Sequence, residues 1–207
     1  MKGGVIMNRS LNKKKFESFI KVVYQFLRIG VIALYVLLAL LVLTSVVFPF
    51  IPKELFDFEL SNLDQIDIQS GTLLYEFRGI VTFVGIVNVK WLLNLLFIVL
   101  TVNLLFFQFI LIQLKTIITD VSNKIPFSDK NVKRLKYMGI AYLISSIVLP
   151  IVNGTLFVTL AKTFNIFDAT INFSIDFQSV FIGIIILIIA YVFEYGAALQ
   201  EDIDLTV

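Results

Sequence analysis

Four long runs of apolar residues constrain this chain more than any other feature of its sequence. None of the four contains a charged residue, and they are Ile29–Phe50, Trp91–Leu114, Tyr137–Leu160 and Phe177–Phe193. A helix needs about 20 apolar residues to cross the roughly 30 Å hydrocarbon core of a bilayer. The sequence therefore predicts an all-α membrane protein, in which residues 1–207 form a single domain built on a four-helix transmembrane bundle.

The composition excludes several classes of protein. Hydrophobic residues make up 58% of the chain and charged residues 15%, against roughly 25% charged in an ordinary soluble domain. The sequence has no cysteine and no histidine, which excludes thiolate and imidazole chemistry. The apolar runs also lack the charged groups on which proton relays and ion-coupled transporters depend. We expect a non-enzymatic protein with no catalytic residues, no cofactor and no metal site.

Basic residues give the expected orientation. Thirteen of the 17 lysines and arginines lie in residues 1–28 and 115–136, and four lie in residues 51–90 and 161–176. Lysine and arginine are retained on the cytoplasmic side of a membrane. We expect the first two segments to be cytoplasmic and the other two extracellular, in a multi-pass plasma-membrane protein. Four spans return the acidic tail, residues 194–207, to the cytoplasm with the N-terminus.

The two predicted extracellular segments show the alternating pattern of β-strands. Apolar residues alternate with polar ones at Phe56, Phe58 and Leu60, at Ile66 and Ile68, and at Ile171, Phe173 and Ile175. This period of two is typical of strands with one buried face. We expect a small antiparallel sheet of three to five strands that caps the bundle. It could serve as a structural lid or as a binding surface for an extracellular ligand.

The N-terminal segment, residues 1–28, has apolar residues at helical spacing among lysines. The apolar set is Phe16, Phe19, Ile20, Val23 and Phe26, and the basic set is Lys13, Lys14, Lys15 and Lys21. This pattern predicts a basic amphipathic helix on the inner leaflet. It is either a topology anchor continuous with the first span or a helix that senses lipid or a partner. We expect translation to start at Met7, because a purine-rich, ribosome-binding-like stretch can encode Lys2-Gly3-Gly4.

The loop between the second and third spans carries the predicted binding residues. Pro126 should end the second helix, Ser128 should cap the third, and Asp129 should meet the dipole of its first turn. We expect partner binding by the basic group Lys130, Lys133, Arg134 and Lys136 together with the tail residues Glu201, Asp202, Asp204, Leu205 and Val207. The alternatives are contacts of the basic group with lipid headgroups and an ion pair between the tail and the loop.

Neutral polar residues inside the spans are expected to join helices. The candidates are Asn103, Gln108, Pro150 and Asn153. Pro150 cannot donate to the carbonyl of Ser146, so an amide side chain of the second span is the expected replacement donor. A small polar cavity for a ligand is the alternative.

Two segments carry a family resemblance. One is Pro126-Phe127 followed by Asn131, Leu135 and Gly139, and the other runs from Val192-Phe193-Glu194-Tyr195-Gly196 through Leu199-Gln200-Glu201 to Asp204-Leu205-Thr206-Val207. In these segments the chain resembles the bacterial multi-pass membrane proteins known as domain of unknown function 2975. The resemblance implies a membrane protein without assigned chemistry, often found beside a small helix-turn-helix regulator.

These observations favour a membrane sensor or anchor that binds a cytoplasmic regulatory partner. The expected partners are the lipid bilayer and a small helix-turn-helix regulator, with no direct contact to nucleic acid. The sequence does not decide whether the chain forms a homo-oligomer. The alternative functions are protection against membrane-active peptides and a passive transport component.

Overall fold

The computed structural model describes residues 2–60, 66–72, 75–81, 85–164 and 175–206. Helix α1 (Lys2–Val47) is followed by two short 3-10 turns, Phe48–Phe50 and Lys53–Phe56. Four strands come next, and three helices complete the described chain. The strands are β1 (Asp57–Leu60), β2 (Ile66–Thr72), β3 (Tyr75–Val81) and β4 (Gly85–Asn88), and the helices are α2 (Lys90–Ser122), α3 (Asp129–Thr163) and α4 (Phe177–Thr206).

Four helices of the described chain are long and apolar enough to cross a membrane. They are Ser18–Phe50, Lys90–Ser122, Asp129–Thr163 and Phe177–Asp202. Each contains one of the apolar runs, so the prediction of a four-span membrane protein is confirmed. Large apolar side chains are exposed along these helices, with Phe26 at 76% and Leu40 at 56%. Such exposure is costly in water but not in lipid, whose tails are as apolar as leucine.

The first helix extends well before the first apolar run. Helix α1 is continuous from Lys2 to Val47, so the predicted basic segment and the first span belong to one element. This is the arrangement expected of a topology anchor that continues into its span.

The predicted β region forms two ladders instead of one sheet. β1 pairs with β4, with Asp57 opposite Asn88, and β2 pairs with β3, with Ile66 opposite Val81. Both pairs are antiparallel and two-stranded. The strands β2 and β3 are consecutive in the sequence, and β1 and β4 flank them on either side. The strand predicted at Ile171–Ile175 lies almost wholly outside the described residues.

The described residues divide into two compact units. One comprises Met1–Tyr35, Phe107–Ile140 and Ile184–Val207, and the other comprises Val36–Phe106 and Ala141–Gly183. In the first unit, a buried apolar core joins α2, α3 and α4 and consists of Ile117, Leu135, Met138 and Ala190.

In the second unit, Lys90 connects the end of α1 to the start of α2. Its ammonium group is buried, with Lys90 9% exposed, and donates to the carbonyls of Pro49 at 2.7 Å and Ile51 at 2.6 Å. Beside it, the Asn88 side-chain amide donates to the carbonyl of Lys53 at 2.8 Å and to Oδ1 of Asp57 at 2.6 Å. A lysine near a helix C-terminus satisfies carbonyls that have no partner within the helix. The structure thus begins α2 at Lys90, directly before the apolar run that starts at Trp91.

The second unit also contains the contact of α3 with the start of α4. Pro150 lies inside α3 and is fully buried. The Ser146 carbonyl accepts a hydrogen bond from the backbone N–H of Asp176 at 3.1 Å. The prediction that an amide side chain of the second span donates to the Ser146 carbonyl is therefore wrong. The side chain of Asp176 in turn caps α4, because its Oδ1 accepts from the N–H groups of Gln178 and Ser179 at 3.1 and 3.2 Å.

We expect Lys90→Met to lower the free energy of unfolding by about 1–3 kcal/mol, because two partly buried carbonyls would lose their donor. Unfolding of the protein in mixed micelles by titration with SDS measures this loss. Lys162→Met is the matched control, since Lys162 is exposed, and should change stability by less than about 0.5 kcal/mol. Equal stability of the two variants would contradict the role of Lys90.

Candidate functional site

The turn between α2 and α3 begins at the C-terminal cap of α2. Helix α2 ends at Ser122, four residues before Pro126. Lys124 adopts a left-handed conformation with φ of 63°. The N–H of Lys124 bonds to the carbonyl of Val121 at 3.0 Å, and that of Ile125 bonds to Asp120 at 2.9 Å. These two bonds form a Schellman motif, so the helix ends before Pro126 is reached.

Helix α3 begins at the cap predicted from the sequence. The Ser128 hydroxyl accepts from the N–H of Asn131 at 3.3 Å, and the Ser128 carbonyl accepts from Val132 at 3.1 Å. Asp129 lies in the first turn of α3, where its charge is favourable to the helix dipole. The prediction of Ser128 as the N-cap is confirmed.

The side chain of Asn131 lies inside the turn and bonds to its backbone. Its side chain is completely buried, at 0% exposure. Its Nδ2 donates to the carbonyls of Ile125 at 3.3 Å and Pro126 at 3.2 Å, and its Oδ1 accepts from Nη1 of Arg134 at 2.7 Å. One amide thus satisfies two backbone carbonyls of the turn that would otherwise lack a donor.

Arg134 joins the two helices on either side of the turn. Its Nη1 lies 2.6 Å from Oδ2 of Asp120, and both side chains are about three-quarters buried. Because the same Arg134 atom donates to Asn131, the ion pair and the buried amide form one network. Arg134 therefore stabilises the turn, although the sequence placed it in the partner-binding group.

Helix α4 packs against this turn through an aromatic contact. The rings of Phe127 and Phe193 lie 5.1 Å apart between centroids. A Cβ atom at Gly196 would come within 2.9 Å of Cδ1 and 3.1 Å of Cε1 of Phe127. Only glycine allows the Phe127 ring to lie this close to the backbone of α4.

A second contact with α4 is ionic. Nζ of Lys136 lies 2.9 and 3.0 Å from the two carboxylate oxygens of Glu194. The same ammonium lies 5.1 Å from the ring centroid of Tyr191, within the range of a cation–π interaction. The basic loop therefore pairs with Glu194, which precedes the tail residues that the sequence suggested for an ion pair.

The remaining basic residues of the turn face outward. Lys124, Lys130 and Lys133 are exposed, and Ile125 beside them is 56% exposed. Within the part of the chain that the structure describes, none of these three lysines forms a salt bridge. We refer to Lys124, Ile125, Lys130 and Lys133 together as the basic turn surface.

The predicted tail residues lie at the end of α4. Glu201 and Asp202 are exposed. Asp204 and Leu205 lie in α4, and Val207 falls outside the described residues.

The interhelical polar candidates are divided between the two compact units. In one unit, Nδ2 of Asn103 donates to Oδ1 of Asn153 at 2.9 Å. In the other unit, Nε2 of buried Gln108 donates to the carbonyl of Val31 in α1 at 3.3 Å. The structure thus brings Asn103 and Asn153 together and places Gln108 against a different helix.

Sequence reasoning missed the internal partners of the turn. Asn131, Phe127, Glu194 and Gly196 were noted only for the family resemblance, and Asp120 was not singled out at all. The available signal was the position of Asn131 three residues after the Ser128 cap, where its amide can fold back over the turn. Among the described residues, no group of three or more acidic side chains could hold a metal ion.

One comparison with known proteins identifies a family. The family model described as "Protein of unknown function (DUF2975)" matches residues 65–207, about two thirds of the chain. The chain therefore belongs to this family, as its two characteristic segments indicated. The comparisons with curated proteins and with solved structures gave no match. The matched range contains the whole turn and its contacts on α4.

We expect Asn131→Leu to lower the free energy of unfolding by about 2–3 kcal/mol. The substitution keeps the approximate size of the side chain but removes one of the two acceptors of Arg134 and the donor to two partly buried backbone carbonyls. Titration with SDS in mixed micelles measures the change. The control is Asn123→Leu, because Asn123 is exposed in the same turn. A loss at Asn131 no larger than at Asn123 would show that the buried network contributes little.

Proposed function

We propose that this member of the DUF2975 family is a non-enzymatic membrane anchor that binds an acidic cytoplasmic protein through the basic turn surface. The observation that carries the proposal is the division of the basic loop into two sets. Arg134 and Lys136 are engaged within the chain, whereas Lys124, Lys130 and Lys133 are exposed on the same turn.

The turn has the properties of a preorganised binding surface. Its closing bonds from Asn131 and the Asp120–Arg134 pair are internal. A surface that is rigid before binding loses less conformational entropy on association than a flexible loop. Local rigidity of this kind favours recognition of a shaped partner over loose attraction to charge.

The chemistry of the surface fits a protein. Exposed Ile125 supplies an apolar residue, and three exposed lysines belong to the same loop. Interfaces between proteins combine an apolar core with a polar rim, and rim charges steer encounter with a partner of opposite charge. The expected partner therefore presents an apolar pocket bordered by carboxylates.

The distribution of basic residues supports a cytoplasmic turn. The N-terminal segment and the 115–136 loop hold thirteen of the 17 lysines and arginines, and such residues are retained on the cytoplasmic side. A small helix-turn-helix regulator, the partner implied by the family resemblance, fits this location. Its DNA-binding face would be basic, so the proposal requires a separate acidic face that binds the membrane anchor.

We expect the double variant Lys130→Ser/Lys133→Ser to bind its partner about tenfold more weakly. Two exposed ion pairs worth up to about 1 kcal/mol each would be lost. The full chain is reconstituted in nanodiscs of zwitterionic lipid, with a photo-crosslinking amino acid at Ile125. The yield of crosslinks to a small acidic helix-turn-helix regulator is measured against regulator concentration at low and high salt.

The matched control is Lys53→Ser/Lys162→Ser, which removes the same charge from exposed lysines elsewhere and should leave the crosslink yield unchanged. The proposal fails if the chain binds no protein but binds anionic vesicles, with an affinity that falls as the lysines of the turn are removed. The surface would then be a lipid contact. Equal loss in both double variants would also contradict the proposal, because net charge alone would then explain binding.

A further inference from the structure

Gly196 occupies a helical position that ordinarily disfavours glycine. It lies inside α4, which runs from Phe177 to Thr206. A glycine in a helix interior costs about 1 kcal/mol relative to alanine. The structure supplies a steric reason for it, because the ring of Phe127 fills the space where a side chain at this position would start.

The contact joins two segments that are distant in sequence. Phe127 belongs to the α2–α3 turn, and its ring also packs on Phe193, one turn before Gly196. Between them, Glu194 pairs with Lys136 of α3. These three contacts hold one stretch of α4 to the turn and to α3, and the exposed acidic residues Glu201 and Asp202 follow that stretch in α4.

We infer that the packing of Phe127 against Gly196 couples the α2–α3 turn to the C-terminal part of α4, so that the basic turn surface and the acidic end of α4 move together. This coupling is a property of the chain alone. It does not depend on the partner binding proposed above, and it can be tested without a partner.

The direction of the effect follows from the distances. A methyl group at position 196 would meet Cδ1, Cε1 and Cγ of Phe127 at 2.9, 3.1 and 3.4 Å. The contacts at 2.9 and 3.1 Å are tighter than ordinary packing, so either the Phe127 ring or the backbone of α4 has to shift, and Phe193 packed on the same ring restricts the ring. The turn is fixed by its buried Asn131 amide, so the end of α4 is expected to move away.

Paired spin labels measure this displacement directly. The chain contains no cysteine, so Asn123→Cys and Gln200→Cys introduce two unique labelling sites, both at exposed positions. Distances between the labels are measured by double electron–electron resonance on the full chain in nanodiscs. We expect Gly196→Ala to lengthen or broaden the distance distribution by a few ångströms.

Gly30→Ala is the matched control, because a Cβ at Gly30 meets no atom within 4 Å. It should leave the distribution unchanged. The double variant Phe127→Leu/Gly196→Ala replaces the rigid ring by a smaller side chain and should restore a narrow distribution. If Gly196→Ala does not fold, Phe127→Ala provides the second variant, and it should broaden the distribution by removing the contact. An unchanged distribution in every folded variant would overturn the inference.

Discussion

The α2–α3 turn depends on the burial of one amide. Two apolar helices reverse direction here, and a helix end leaves backbone carbonyls without partners inside the helix. Near a membrane such groups are costly to leave unsatisfied. Asn131 satisfies the carbonyls of Ile125 and Pro126 and positions Arg134 against Asp120. A turn that would otherwise be a flexible connection thereby acquires a defined shape.

The defined shape determines which charges are available for binding. Arg134 and Lys136 are used to hold α2 and α4 to α3, so their guanidinium and ammonium groups already have partners. Lys124, Lys130 and Lys133 have no such contact among the described residues and remain exposed, as does Ile125. The same turn, through Phe127, packs on Gly196 of α4. The α2–α3 turn therefore both presents the exposed lysines and packs against α4.

Some of this arrangement could be predicted from the sequence, because the relevant signals are local. Apolar runs such as Trp91–Leu114 predict spans by length alone, and Ser128 is a cap by its residue type. The Asp120–Arg134 pair and the bond from Asp176 to Ser146 depend on how separate helices pack, which no local pattern specifies. Likewise, the alternation of apolar and polar residues predicts the strands that contain Phe58 and Ile66. It does not decide whether these strands form one sheet or two ladders.

The proposed function requires that the basic turn surface faces the cytoplasm as an exposed site. The most direct measurement is the labelling of Lys133→Cys, the only cysteine in the variant chain, with a membrane-impermeant maleimide on cells that express it. The account predicts no labelling of intact cells and strong labelling after permeabilisation. The variant Lys53→Cys, in the segment expected outside, is the comparison. If Lys133→Cys is labelled on intact cells as strongly as Lys53→Cys, the turn lies on the outer side, which contradicts the account.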